Sequence, residues 1–293
     1  MKLMILAIIC SGLLFPGFLS AVDIELTAGL NNMTYHPDRV TSHSQSTNFK
    51  EFPGYPYGFG NLTLKSDITD NWGYEINAIR DNIQRNSANA KIVLNTDNFN
   101  IDFGPFIGIG DKMEIPEFGI TGSIELAYPG IFFLAFNGTS TLGTKIEYTG
   151  NNSRETMELK LGFWLPYIIP TFSASIKSYT DHHDEFVTIN DELLRLQFSI
   201  DIFAKNSPVT VRLDSGYQIL KRSYIRGYTS SMDELNSFFA GMELKWQITK
   251  PFRITAGFEM PVYFMSDEPM LEPENIYKLY KAYFGIGYKI FSD

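Results

Sequence analysis

The chain of 293 residues carries one cysteine, Cys10, and that scarcity is its first constraint. Small exported domains compensate for thin cores with several disulfides, so a disulfide framework is excluded. Charge is thin as well. Asp, Glu, Lys and Arg make up 19% of the residues, below the usual quarter or so. Acidic residues outnumber basic ones 33 to 24, and a net charge of −9 excludes the basic face that a nucleic-acid partner demands. No run of about 18 apolar residues occurs beyond the N-terminal segment, which excludes a helical membrane bundle. Helical patterns are nearly missing; only Ser231 to Asn236, with Ser231 and Glu234 at capping-box spacing, reads as a helical turn. What abounds is aromatic: 24 Phe and 16 Tyr lift the aromatic share to 15%. With 44% hydrophobic residues, the chain is not a disordered one.

The N-terminus reads as an address. Met1-Lys2 forms a short positive region, Leu3 to Phe18 an apolar one, and Leu19-Ser20-Ala21 a small-residue cleavage site. The expectation is a cleaved signal peptide over 1–21 and a single domain over 22–293. Cys10 lies inside the apolar stretch, and Ala7-Ile8-Ile9 before it makes a poor lipoprotein box. The exported chain then contains no cysteine, which points to a bacterial envelope.

From Val22 onward the hydrophobic period is two. Ile24, Leu26, Ala28 and Leu30 alternate with Asp23, Glu25, Thr27 and Gly29. Leu194, Leu196, Phe198, Ile200 and Ile202 alternate with Arg195, Gln197, Ser199 and Asp201. Such a dyad is a strand with one apolar and one polar face. About fourteen runs occur, beginning near Val22, Tyr57, Trp72, Ala90, Phe99, Glu117, Ile131, Glu155, Thr171, Glu192, Val209, Ser237, Phe252 and Leu279. The stretch Ile131 to Tyr148 could also be divided into two short strands. Each run is close to the 9–11 residues with which a tilted strand crosses a bilayer.

Connections between the runs alternate in length. The tight set is Thr69-Asp70-Asn71, Asp97-Asn98, Tyr128-Pro129-Gly130, Leu165 to Pro170, Lys205 to Pro208, and Thr249-Lys250-Pro251. The long set is Tyr35 to Pro56, Asn82 to Asn89, Gly110 to Pro116, Thr149 to Arg154, Thr180 to Asp191, Lys221 to Asn236, and Ser266 to Lys278. A barrel with short periplasmic turns and long extracellular loops has that parity. The expected fold is all-β: a single antiparallel transmembrane β-barrel of about 14 strands.

Aromatic residues gather at run ends, as two interfacial girdles require. Trp72, Tyr74, Phe99, Tyr128, Trp164, Phe203, Trp246, Phe252 and Phe291 flank the tight turns. Tyr35, Tyr57, Tyr148, Tyr179, Tyr263, Phe264, Tyr277 and Tyr280 flank the long loops. The last run, Phe284 to Ile290 with Phe291 two residues from the end, resembles the C-terminal strand by which bacterial outer-membrane proteins address their insertion machinery. Ser292 and Asp293 after the Phe depart from that pattern. In architecture and size the whole chain resembles small monomeric porins. The resemblance implies outer-membrane lipids as surroundings, the insertion machinery as partner, a monomer, and the bacterial outer membrane as location.

By alternation the polar face includes Glu75, Asp102, Glu125, Lys145, Lys160, Lys177, Arg195, Asp201, Arg212, Asp214, Glu243, Lys245, Arg253 and Glu259. Charges of both signs cannot lie in a dry lumen without pairing, so these are candidate pore-lining residues. Fourteen strands fall between the eight that close on their own side chains and the sixteen that leave an aqueous channel. The expected function is passive diffusion of small hydrophilic solutes through a water-filled pore. Two alternatives stand beside it: a barrel whose extracellular loops bind host or environmental ligands, adhesin-like, and a transporter for hydrophobic compounds. The first run begins about one residue after the cut, leaving no room for the N-terminal hatch of long-chain fatty acid transporters. Tyr35 to Pro56 is then the one loop long enough to fold inward.

Catalysis and metal binding find little support, so neither an enzyme nor a cofactor is expected. Asp181-His182-His183-Asp184 invites comparison with omptin-type barrel proteases, but no second acidic pair stands on a facing rim. Barrel phospholipases need Ser, His and Asn together on the outer wall. All four histidines, His36, His43, His182 and His183, fall instead in segments read as loops.

Overall fold

A computed structural model describes residues 21–31, 57–81, 83, 85–109, 116–142, 152–184, 187–203, 207–226, 229–265 and 280–291. The signal segment with Cys10, and the expected loops over 32–56, 110–115, 143–151 and 266–279, lie outside the described residues.

Fourteen strands form one closed antiparallel barrel in which each pairs with its sequence neighbours and the last returns to the first. They are β1 Ala21–Asn31, β2 Tyr57–Asp67, β3 Trp72–Asp81, β4 Arg85–Asn95, β5 Phe99–Ile109, β6 Glu117–Tyr128 and β7 Phe132–Thr141. There follow β8 Ser153–Phe163, β9 Ile168–Asp184, β10 Val187–Phe203, β11 Val209–Arg226, β12 Thr229–Gln247, β13 Phe252–Phe264 and β14 Lys281–Phe291. The ring closes over eleven rungs, from Ala21↔Phe291 to Asn31↔Lys281. Closure removes the free edge strands, so the ladder groups pair within the wall, as a bilayer without water demands.

The burial pattern is inside out. On β6, Phe118 and Ile120 are 63% and 56% exposed while Glu117 and Thr121, which flank them, are 6% and 8%. Apolar side chains stand on the outer wall and polar ones line the inside, the reverse of a soluble sandwich. Outward aromatics mark the ends of the belt: Trp72, Tyr128 and Trp246 toward the tight turns, Tyr263 and Phe238 toward the other rim.

Four departures from the sequence pattern have physical causes. First, β9 to β12 are 17–19 residues long against 10–13 elsewhere, so most of Thr180 to Asp191 and of Lys221 to Asn236 is strand rather than loop. The ladder runs on above the belt, where the outer face no longer meets lipid and the dyad fades. Second, Ser231 to Asn236 is consequently strand and not a helical turn. Third, β4 starts at Arg85 rather than Ala90, so the expected connection Asn82 to Asn89 shrinks to three residues. Strand bounds likewise leave two residues between β9 and β10 and two between β11 and β12. Fourth, Ile131 to Tyr148 holds one strand, β7, over its described part.

Candidate functional site

The register sorts inward from outward. Successive rungs Asp23↔Lys65, Lys65↔Glu75 and Glu75↔Lys91 set these four charges side by side on the inner wall. Asp102, Glu125, Lys160, Lys177, Arg195, Asp201, Arg212, Asp214, Glu243, Lys245, Arg253 and Glu259 fall on the same face. Lys145 lies outside the described residues. Not all the girdle aromatics face lipid. Phe203 pairs with Thr210 two rungs beyond Asp201↔Arg212, so it lies on the inward face. Trp164 packs at 5.3 Å on Phe133, whose rung partner is Gly162, and so belongs to the inner mouth. Phe291 closes the ladder against Ala21. Tyr179 is 2% exposed and interior. Phe203, Trp164 and Tyr179 end up inside because closeness to a run end fixes depth, while parity fixes the face.

Inner-wall charges are organised as ladders. Lys91 bridges Glu75 at 3.5 Å and Asp102 at 3.2 Å, and the Ser123 hydroxyl donates to Asp102 at 2.5 Å. Arg212 grips Asp201 through two bonds, at 2.7 and 2.8 Å. Arg253 passes over Gly287 to donate to Asp23 at 3.0 Å and Glu25 at 2.8 Å, tying β13 across β14 to β1. A Cβ at Gly287 would stand 2.5 Å from Arg253 Nε, so the glycine leaves the arginine room to lie against the wall.

Exposure falls steeply along the lumen. Toward the tight-turn end, which is periplasmic in such barrels, the side chains of Lys65 and Lys245 are 58% and 47% exposed. Toward the other end, those of Arg154 and Asp191 are 1% and 5% exposed. The lumen is therefore a wet vestibule leading to a dry constriction.

That constriction is made by side chains and one turn. Lys177 donates to Asp81 at 2.9 Å, from β9 to β3. Arg85 on β4 reaches Asp191 on β10 at 3.4 Å, and Arg222 holds the same carboxylate through two bonds of 2.6 Å. Arg154 Nε lies 2.6 Å from Glu117 Oε2, and Nη1 donates to the Asn86 carbonyl. Both Arg154 and Arg85 stack over the Tyr179 ring, at 4.9 and 5.7 Å, and Asn152 donates to the Tyr179 hydroxyl at 3.0 Å. Between the walls Ile83, 1% exposed, is carried inward by the β3–β4 turn, its N–H donating to Asp81 at 2.7 Å. Arg85 follows with φ +60°, a conformation costly for a residue with a Cβ. Among the described residues the inward element is thus this turn; Tyr35 to Pro56, expected to be able to fold inward, lies outside them.

Alternation supplied the faces of the lumen but missed Asp81, Arg85, Glu117, Arg154, Asp191, Arg222 and Lys281. All of them lie at run ends or in stretches that read as loops. Asp181 belongs to β9, and its register partner is Ile189. Among the described residues no group of three or more His, Cys, Asp or Glu is placed to hold a metal ion.

A closed antiparallel barrel with a lipid-facing belt and a charged lumen defines an integral β-barrel of the bacterial outer membrane. No protein-family model matches the chain, and no curated protein matches it in sequence. Among solved structures it is similar to an outer-membrane channel of Pseudomonas putida F1, with 8% identity, 94% of this chain and 96% of that one covered, and a TM-score of 0.52. It is also similar to the loop-deleted outer-membrane protein OmpT of Vibrio cholerae, with 7% identity, 94% and 100% coverage, and a TM-score of 0.43. A porin structure aligns with 9% identity over 92% of this chain and 100% of that one, with a TM-score of 0.43.

Proposed function

We propose that the barrel is a pore for passive diffusion of small hydrophilic solutes, inserted as a monomer after removal of residues 1–21, with β14 as the segment addressed by the insertion machinery. The carrying observation is the lumen's gradient: half-exposed lysines in the vestibule give way to a constriction held by side-chain pairs. A solute competing for those charges can exchange with them one at a time, which a wall of ladder hydrogen bonds would not permit. Purified protein in planar lipid bilayers should give discrete, small conductance steps. A barrel silent both there and in liposome-swelling assays would reject the reading.

A second reading has an observation of its own. β9 to β12 rise above the belt as a tall wall, a surface on which an extracellular ligand could dock. Trimming the upper β11–β12 hairpin should then abolish ligand binding while conductance persists.

A further inference from the structure

Just below the constriction the lumen holds a cavity of about 210 Å³, lined by the β3–β4 turn and by residues of β1 and of β8 to β14. At about 30 Å³ per water it would accommodate about seven. Its lining is mixed. Three cations, Lys177, Arg195 and Lys281, and three carboxylates, Asp81, Glu158 and Glu259, share it with an apolar row in which Leu193, Leu220 and Leu235 are successive rung partners.

The carboxylates of the cavity are already engaged. Asp81 holds Lys177 at 2.9 Å, Glu259 holds Arg195 at 2.5 Å, and Glu158 is held by Lys160 at 3.0 Å and by Asn137 at 2.7 Å. Lys281 is left over. Among the described residues it makes no ion pair, and its ammonium rests over the faces of Phe59 and Tyr283 at 5.4 and 5.7 Å. Arg195 in turn stacks over Phe239 at 3.7 Å and keeps its Nε without an acceptor. Half-buried cations held by ring faces satisfy only part of their demand. Among the described residues Lys281 thus brings a charge without an ion pair of its own, beside the apolar row.

We infer that this cavity is a binding site for small amphipathic monocarboxylates, with Lys281 taking the carboxylate and the Leu193, Leu220 and Leu235 wall taking a short alkyl chain. A cationic or zwitterionic solute is disfavoured, because its ammonium would face three cations while the cavity's carboxylates are already engaged. Chloride would answer the charge but leave the apolar wall unused. The inference rests on the pore reading and narrows its solute class.

Isothermal titration calorimetry on the full chain, refolded in a non-ionic detergent, tests it with sodium hexanoate as probe and hexylammonium chloride as counter-probe. Hexanoate should bind, hexylammonium should not, and Lys281→Met should weaken hexanoate about tenfold, as loss of a charge-assisted contact does. Lys281→Arg should retain binding. Heat-modifiable gel migration establishes that each variant still forms the barrel. Equal binding by wild type and Lys281→Met, or equal binding of the two probes, would overturn the site. Silence toward hexanoate in a protein that conducts in bilayers would overturn this inference alone and leave the pore standing.

Discussion

Lys177 and Asp81 meet at 2.9 Å across the interior of the barrel, although five strands separate β9 from β3 along one side of the wall and seven along the other. A contact between such distant strands is a chord, and it narrows the lumen to the length of two side chains. Only cation and carboxylate of these lengths can make it, and both remain partly solvated, with side chains 37% and 19% exposed. Partly exposed pairs contribute little to stability. The pair's effect is therefore on passage.

Cutting that chord should open the pore more than it weakens the fold. Asp81→Asn keeps the volume and removes the charge. Single-channel conductance should rise roughly twofold, as the electrostatic hold on the constriction is lost. Lys177→Met should act in the same direction, and the double variant should show less than the sum, because both remove one interaction. Unchanged conductance in both single variants would move the constriction elsewhere.

The deeper pair behaves differently. Asp191 takes Arg222 and Arg85 together, and neither it nor Arg85 exceeds 7% side-chain exposure. Asp191→Asn leaves two guanidinium groups short of their counter-charge in a dry place. The cost should be about 3–5 kcal/mol, measured as a shift in the guanidinium chloride unfolding curve in detergent. Asp201→Asn, whose partner Arg212 is 35% exposed, should cost about 1 kcal/mol or less.

Inward rings are seated on glycines. Direct rungs place inner-wall glycines against aromatic rings: Gly29↔Phe59, Gly119↔Phe106, Gly162↔Phe133, Gly216↔Phe239 and Gly257↔Tyr283. At each a Cβ would stand under 3 Å from the ring, so the ring lies flat against the wall. Gly216→Ala would bring its Cβ to 2.1 Å from the Leu196 carbonyl and 2.8 Å from Phe239. The backbone cannot give, and overpacking should cost about 1–3 kcal/mol. At Gly138, where the nearest atom is 3.5 Å away, the same change should stay within about 0.5 kcal/mol. Equal unfolding midpoints for the two variants would refute the seating.

Much of this architecture is readable from the residues because a bilayer imposes a strict dyad. Runs beginning at Tyr57, Trp72, Phe99, Glu117, Val209 and Phe252 open strands at those same residues. Where the wall leaves the bilayer the constraint lifts, and Asp181 to Asp184 or Lys221 to Tyr224 carries polar residues on both faces and reads as loop. The constriction was hidden for another reason. Alternation assigns a face but neither depth nor a partner across the lumen. Lys177 and Asp81 are 96 residues apart, and only barrel closure brings them together. Lys281, at the very start of β14, lay past the first residue of an expected run and drew no attention.

The outer wall offers the sharpest check on the bilayer itself. Phe103 sits at the middle of β5, 63% exposed, with Ile92 across the ladder at 51%. In water such a residue gains nothing by staying apolar, and Phe103→Arg would be neutral or helpful to solubility. In lipid an arginine near the midplane costs about 2–4 kcal/mol. Reversible unfolding in lipid vesicles should therefore show Phe103→Arg destabilised by that amount. Asn100→Arg, on the inner face and near the periplasmic end of the same strand, should change stability far less, because its charge would lie in the wet vestibule. Equal effects at both positions would mean that the belt does not face lipid.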